Sequence, residues 1–212
     1  MKDIPVFDTE NGIASLFLRE IPYRQRAHIR IRSSLEPEKL LKECVDFCRM
    51  CGAEWCDASG HEYLEKYPLI TALVRMQRSR SGLPQTDACL FPVTEETVGQ
   101  WIRIYNERMA DIPNCAWMDS RDGREMLRKG DGYFVHRSGV LLGIGRASGD
   151  TLDTVIATQP GMGETVVLAL CSLLDTDVVR LQVADANTRA VRLYERMGFV
   201  KVQELARWYR VL

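Results

Sequence analysis

Two stretches of the chain place groups where they could do chemistry. Gln159-Pro-Gly161-Met162-Gly163-Glu164 sets two glycines between an apolar strand and an apolar helix. Backbone N–H groups at a helix N-terminus, reinforced by the helix dipole, suit an anion such as a phosphate, and glycine lets it come close. Glu164 opposes that use if it faces the anion, since like charges repel; turned away, it merely complements the dipole. Further on, Asn187 can cap a helix through its side-chain oxygen. Tyr194 on that helix carries a phenol, pKa about 10, able to deliver a proton. It also shares a helical face with Ala190, Val191 and Met197, so packing is the competing role. Among carboxylates, Asp153 is the best placed to accept a proton, on the strand before the glycine turn, with Asp150 second. His136, mid-strand beside Tyr133 and Phe134, reads as a structural imidazole.

Cysteine offers a rival chemistry. Cys44-x-x-x-Cys48-x-x-Cys51 has the spacing of an iron–sulfur site, and Cys56 and His61 add candidate ligands. The same spacing is i, i+4, i+7 on a helix whose face already holds Leu40, Leu41 and Val45, which turns the thiols toward a core. No metal is expected.

The elements that must position these groups follow from hydrophobic period and punctuation. Val179, Leu181 and Val183 alternate, so Val178 to Ala184 is a strand; the helix after it starts at Asn187 and stops at Gly198-Phe199. Leu152 to Thr158 is a strand and Gly163 to Leu174 a helix. Tyr133 to Arg137 and Val140 to Ala147 form a hairpin through Ser138-Gly139. Before them come a strand at Ala88 to Val93, a helix capped by Thr94 and carrying Val98, Trp101, Ile102, Tyr105 and Met109 on one face, and a helix over Ser120 to Lys129. Phe199 to Gln203 and Arg207 to Leu212 close the chain as two strands. The polar run Gln77 to Asp87 reads as a connection. It divides the chain into a 1–80 segment, an 81–87 linker and an 88–212 domain. In the first segment, Leu16 to Glu20 and Ala27 to Ser33 read as paired strands. Pro37 opens a helix ended by Gly52; Ala53 to Asp57 is a strand, His61 to Tyr67 a short helix, and Leu69 to Met76 a strand.

The order Val-x-x-x-Asn187-x-x-Ala190-x-x-Leu-Tyr194-x-x-x-Gly-Phe199, after the strand–Gly-x-Gly–helix unit, resembles the GNAT family, the Gcn5-related N-acetyltransferases. The resemblance covers roughly Ala88 to Leu212. It implies a mixed α/β (α+β) sheet of the acyl-CoA N-acyltransferase fold and transfer of acetyl from acetyl-CoA directly to an amine. Backbone donors of Val155, Ile156 and Ala157, freed by a bulge, would then polarise the thioester carbonyl. Gly161, Met162, Gly163 and Glu164 would hold the pyrophosphate, Asn187, Ala190 and Tyr194 would line the CoA arm, and Tyr194 would protonate the departing thiolate. Asp153 would serve as base. The chain departs from the family in putting Thr158 where Gln or Arg is usual, in a shortened loop without a basic residue. A CoA-binding or regulatory protein without turnover is the alternative. The strand–strand–helix–strand–helix–strand order of residues 1–80 resembles the second half of the same domain, which would make the chain a tandem with a truncated first copy. A homodimer is expected of the family. Trp101, Tyr105, Trp117, Tyr133, Trp208 and Tyr209 are candidates for an acceptor pocket.

Composition sets the environment. With 28 basic and 29 acidic residues in 212, the chain as a whole carries no charge footprint for nucleic acid or a membrane surface, which points to small molecules or a second copy of the chain as partners; the resemblance implies a small-molecule amine acceptor. The N-terminus lacks a hydrophobic signal core, and seven cysteines, an odd number, fit reduced thiols in the cytoplasm.

Overall fold

The computed structural model describes residues 1–113 and 115–212. Its elements are β1 (Ile4–Thr9), β2 (Gly12–Phe17), α1 (Ile21–Arg24), β3 (Arg26–Ser34), α2 (Pro37–Met50), β4 (Trp55–Ser59), a 3₁₀ turn (Glu62–Lys66), β5 (Leu69–Ser79) and β6 (Cys89–Pro92). They continue as α3 (Val98–Arg108), α4 (Ser120–Lys129), β7 (Gly132–Arg137), β8 (Val140–Ser148), β9 (Thr151–Ala157), α5 (Gly163–Cys171), β10 (Val178–Ala184), α6 (Thr188–Arg196) and β11 (Val200–Arg210). The chain divides into two compact units, Met1–Leu73 with Leu205–Leu212, and Val74–Glu204.

In the first unit the strands lie in the order β1-β2-β3-β4-β11, antiparallel except for the parallel pair β3 and β4 joined through α2. Strand period decides the faces: Ala27, Ile29 and Ile31 of β3 are buried while the residues between them are not. Pro37 stands at the first turn of α2, where its missing N–H costs nothing. The helix lays Leu40, Leu41, Cys44, Val45 and Cys48 on Ala14, Leu16, Ile29, Ile31, Cys56, Ala58 and Tyr209. Complete burial of each aliphatic side chain contributes about 1.5–3 kcal/mol.

The second unit orders its strands β5-β10-β9-β8-β7-β6, with β9 and β10 parallel and β6 to β9 an antiparallel meander. One core packs α5 and α6 residues, including Val166, Val167, Leu170, Tyr194 and Met197, with Val179, Leu181 and Val183 of β10. A second joins Trp101, Met118 and Met126 from the α3–α4 region to Phe134, Ile144 and Ile156 of the strands. The indole Nε1–H of Trp101 donates to the Tyr133 carbonyl at 3.2 Å. The β7–β8 hairpin turns on Ser138 (φ 49°) and Gly139 (φ 80°), the paired left-handed conformations a tight two-residue hairpin requires.

Several expectations need correction. The closing strands are one, β11, because its exposed run of Lys201, Gln203 and Glu204 hides the alternation without interrupting the backbone ladder. β1 is an additional strand, and β2 lies at Gly12–Phe17, ahead of the expected Leu16 to Glu20. α3 begins at Val98 with Thr97 at its cap; Thr94 instead heads a turn in which its N–H donates to Thr97 Oγ1 at 2.9 Å. The His61 to Tyr67 helix is a 3₁₀ turn, and α5 stops at Cys171. Trp101 and Tyr209 belong to cores, where they are 0% and 6% exposed, and do not wall a pocket.

Candidate functional site

Among the described residues, strands β9 and β10 pair through Arg180↔Thr151 and Leu181↔Leu152 and no further. Asp153 to Ala157 therefore run on with β8 on one side and a fork on the other. The fork leads to the glycine turn. Thr158 follows β9, its N–H donating to Leu142 O and its Oγ1 to Leu141 O, both at 2.9 Å. Gly161 lies at φ 81°, and Met162 caps α5 without a side-chain bond. The first intrahelical bond is Val166 N–H to Met162 O at 3.0 Å, so the amides of Gly163, Glu164 and Thr165 precede the helix ladder. Amides ahead of the ladder, together with the dipole, are the features an anion would use. A Cβ on Gly163 would stand 2.8 Å from Leu193 Cδ2, so the glycine is what brings the start of α5 close to α6.

The predicted site residues divide by position. Val155, Ile156 and Ala157 lie on β9 past the fork. Gly161, Met162, Gly163 and Glu164 form the turn and first residues of α5, with Gly161 and Glu164 exposed. Asn187 accepts from Ala190 N–H at 3.2 Å and so caps α6, as its residue type predicts. Tyr194 is 7% exposed and packs edge-on against Phe199, ring centroids 5.7 Å apart. Burial, with the nearby Cys171 thiol adding to it, pushes the phenol well above its ordinary range, so it stays protonated at neutral pH.

Asp153 is the first residue beyond the last β9–β10 pair, exposed, and its Oδ2 accepts from Ser148 Oγ at 3.1 Å. The β8–β9 register shifts between Arg146 and Ala147, leaving Asp153 as the extra residue of a bulge. That bulge precedes Val155 to Ala157, earlier than the resemblance implies. Asp150 is committed elsewhere. Its carboxylate forms an ion pair with Arg180, and its carbonyl accepts from Arg180 N–H at 2.8 Å.

One basic group near the turn was missed from sequence. Arg108, on the last turn of α3, donates from Nη2 to Thr158 O at 2.9 Å. Thr158 ties the turn to β8, while the guanidinium comes from a distant helix. The only sequence signal was a basic residue at a helix C-terminus, which ordinarily complements the dipole there.

The cysteines form no comparable site. Cys44, Cys48 and Cys56 are buried and Cys51 partly so. Burial pushes the Cys44 thiol up to about 12, and the hydrogen bond with Cys56, together with burial, pushes Cys48 upward. Among the described residues no group of three or more His, Cys, Asp or Glu could hold a metal ion. No described helix is long and apolar enough to cross a membrane.

No family model and no curated protein matches this sequence. Solved structures do match its fold. A conserved protein of unknown function from Staphylococcus epidermidis ATCC 12228 aligns over 96% of this chain and 91% of its own, with TM-score 0.58 and 12% identity. A GCN5-related N-acetyltransferase from Sphaerobacter thermophilus aligns over 93% and 75%, with TM-score 0.56 and 13% identity. A GNAT-family acetyltransferase from Colwellia psychrerythraea aligns over 96% and 84%, with TM-score 0.52 and 10% identity. The forked parallel pair and the glycine turn thus sit in a mixed α/β chain whose fold is similar to that of the GNAT acetyltransferases.

Proposed function

We propose that the protein is an N-acetyltransferase that uses acetyl-CoA and a small-molecule amine. The observation that carries this reading is the fork between β9 and β10 opening directly onto the uncapped N-terminus of α5. Acetyl-CoA supplies an activated acetyl thioester when bound. The amides of Gly163 and Glu164 would take its phosphates, on a turn shaped by Gly161 and by the Met162 N–H bond to Gln159 O at 3.3 Å, and Arg108 would add positive charge at the same turn. Glu164 is exposed and can turn from the anion. Of the Val155, Ile156 and Ala157 stretch, the backbone N–H groups of Val155 and Ala157, which point away from β8, would bind the thioester oxygen where charge develops. Asn187 and Ala190 fix the start of α6 beside the CoA arm. Tyr194 would hold its proton at Oη until a thiolate departs, and Asp153 would receive the amine proton directly or through water. The N-terminal unit would be a truncated first copy: β3-α2-β4 repeats the parallel strand–helix–strand arrangement of β9-α5-β10.

A CoA-binding regulatory role without turnover draws on the packing of Tyr194 into the core. Purified protein given acetyl-CoA and a panel of polyamines, amino acids, aminoglycosides and lysine peptides separates the two. Release of free CoA with one amine class supports transfer. CoA binding without release with any amine leaves the regulatory role, and no CoA binding overturns both.

A further inference from the structure

A second feature, independent of the CoA reading, lies on the sheet of the N-terminal unit. Alternation puts Arg26, His28, Arg30 and Arg32 of β3 on the face opposite α2. Across the strands, Phe17 pairs with His28, His28 with Asp57, and Asp57 with Arg210. The imidazole stands between two aromatic rings, 5.5 Å from Phe17 and 5.7 Å from Trp208 between centroids. Its Nε2 lies 3.1 Å from Ser59 Oγ, and its buried Nδ1 has no hydrogen-bond partner among the described residues.

The charge on this face is unbalanced. Its acids among the described residues are Asp57 and, at the β1 edge, exposed Asp8, paired with Ile13; two guanidinium groups already share Asp57, Arg210 at 3.0 Å and Arg26 at 3.6 Å. Arg32 reaches only the neutral Ser15 Oγ, at 3.0 Å, and Arg30 is exposed without an ionic partner among the described residues. Phe17 is 38% exposed and Trp55 49%, so aromatic surface is open beside the cations. The near-zero net charge of the whole chain averages this segregation away.

We propose that this face of the N-terminal sheet binds single-stranded nucleic acid. Arg30 and Arg32 would take phosphates while bases stack on the exposed rings of Phe17 and Trp55, with His28 and Trp208 packed behind Phe17. Aromatic platforms next to an arginine track are how single strands are held without sequence preference. An acidic peptide would satisfy the arginines and leave the rings unused. Two residues along a strand advance about 6.6 Å, a step that lets successive arginines follow successive phosphates of an extended strand.

The test titrates the full chain with labelled oligouridylate and oligothymidylate, adenosine 5′-monophosphate and polyglutamate, reading anisotropy and tryptophan quenching. Saturable oligonucleotide binding should weaken as salt rises from about 50 to 200 mM, the signature of released counterions. Arg30→Gln with Arg32→Gln, and separately Phe17→Ala, should each weaken it by about tenfold or more while the circular dichroism spectrum and CoA binding hold. The proposal is overturned by the absence of saturable oligonucleotide binding, by affinity unchanged in both variants, by polyglutamate competing as well as the oligonucleotides, or by monophosphate binding as tightly as the strand. Because CoA binding is read separately in the same variants, failure here and failure of the acetyl-transfer reading are distinguishable.

Discussion

At Tyr194 two roles converge on one side chain. The ring fills the second unit's core beside Phe199, while the oxygen is the group proposed to meet the thiolate. Removing only the hydroxyl separates them. Tyr194→Phe should lower kcat by about 10²-fold or more and leave the unfolding free energy within about 1 kcal/mol, measured by CoA release and urea denaturation. His28 makes a different prediction. Burial, with Arg30 adding repulsion, lowers its pKa from 6.5 to about 4. The folded state therefore refuses a proton that the unfolded chain accepts. Stability is complete above pH 6.5 and falls as pH drops toward about 4, by no more than about 3 kcal/mol. Urea midpoints across that interval should slope less in His28→Phe. The thiols are graded in the same way by burial. Ellman's reagent should modify exposed Cys89 quickly in the native protein and reach Cys44, Cys48, Cys56 and Cys171 only on unfolding.

Elements were legible where punctuation and period agree. β10 and α4 have the predicted bounds, and Asn187 caps α6 as its type requires. α4 gains a device not read from sequence: Asp119 accepts from Arg121 N–H at 2.7 Å and from Asp122 N–H at 3.4 Å, and Asp122 accepts from Asp119 N–H at 2.8 Å, a reciprocal capping box. Asp119→Ala should cost about 1 kcal/mol and shift the thermal midpoint down, as a scanning calorimeter would record. Elements were misread where side chains carry no pattern. The first half of β11 is exposed on both faces, and the 3₁₀ turn at Glu62–Lys66 has the composition of a helix but too few residues for one. The α2 cysteines show how a face settles a motif: ligand-like spacing and core-facing spacing are the same on a helix, and burial of Cys44 and Cys48 with Leu40 and Leu41 settles it.

At the scale of the whole molecule, the proposed acetyl-CoA site depends on a parting of strands and a close helix approach. Gly163→Val would crowd Leu193 Cδ2, so that side chain or the start of α5 must shift. It should weaken CoA binding by about tenfold or more in calorimetric titration, and it should reduce the rise in thermal midpoint that saturating CoA gives the parent protein. The sequence by itself determined the order of the elements between β3 and α6, the glycine turn before an apolar helix, the capping of α6 and the inward helical face of the cysteines, because local period and cap chemistry act within a few residues. Only the tertiary structure decided that β9 and β10 stop pairing after Leu152 and Leu181, that Arg108 reaches Thr158, and that Asp150 belongs to Arg180. It alone gathered Phe17, His28, Asp57 and Arg210 into one transverse row. Strand register and ion pairing join residues far apart in the chain, and no local pattern records which distant partner a strand or a charge will meet.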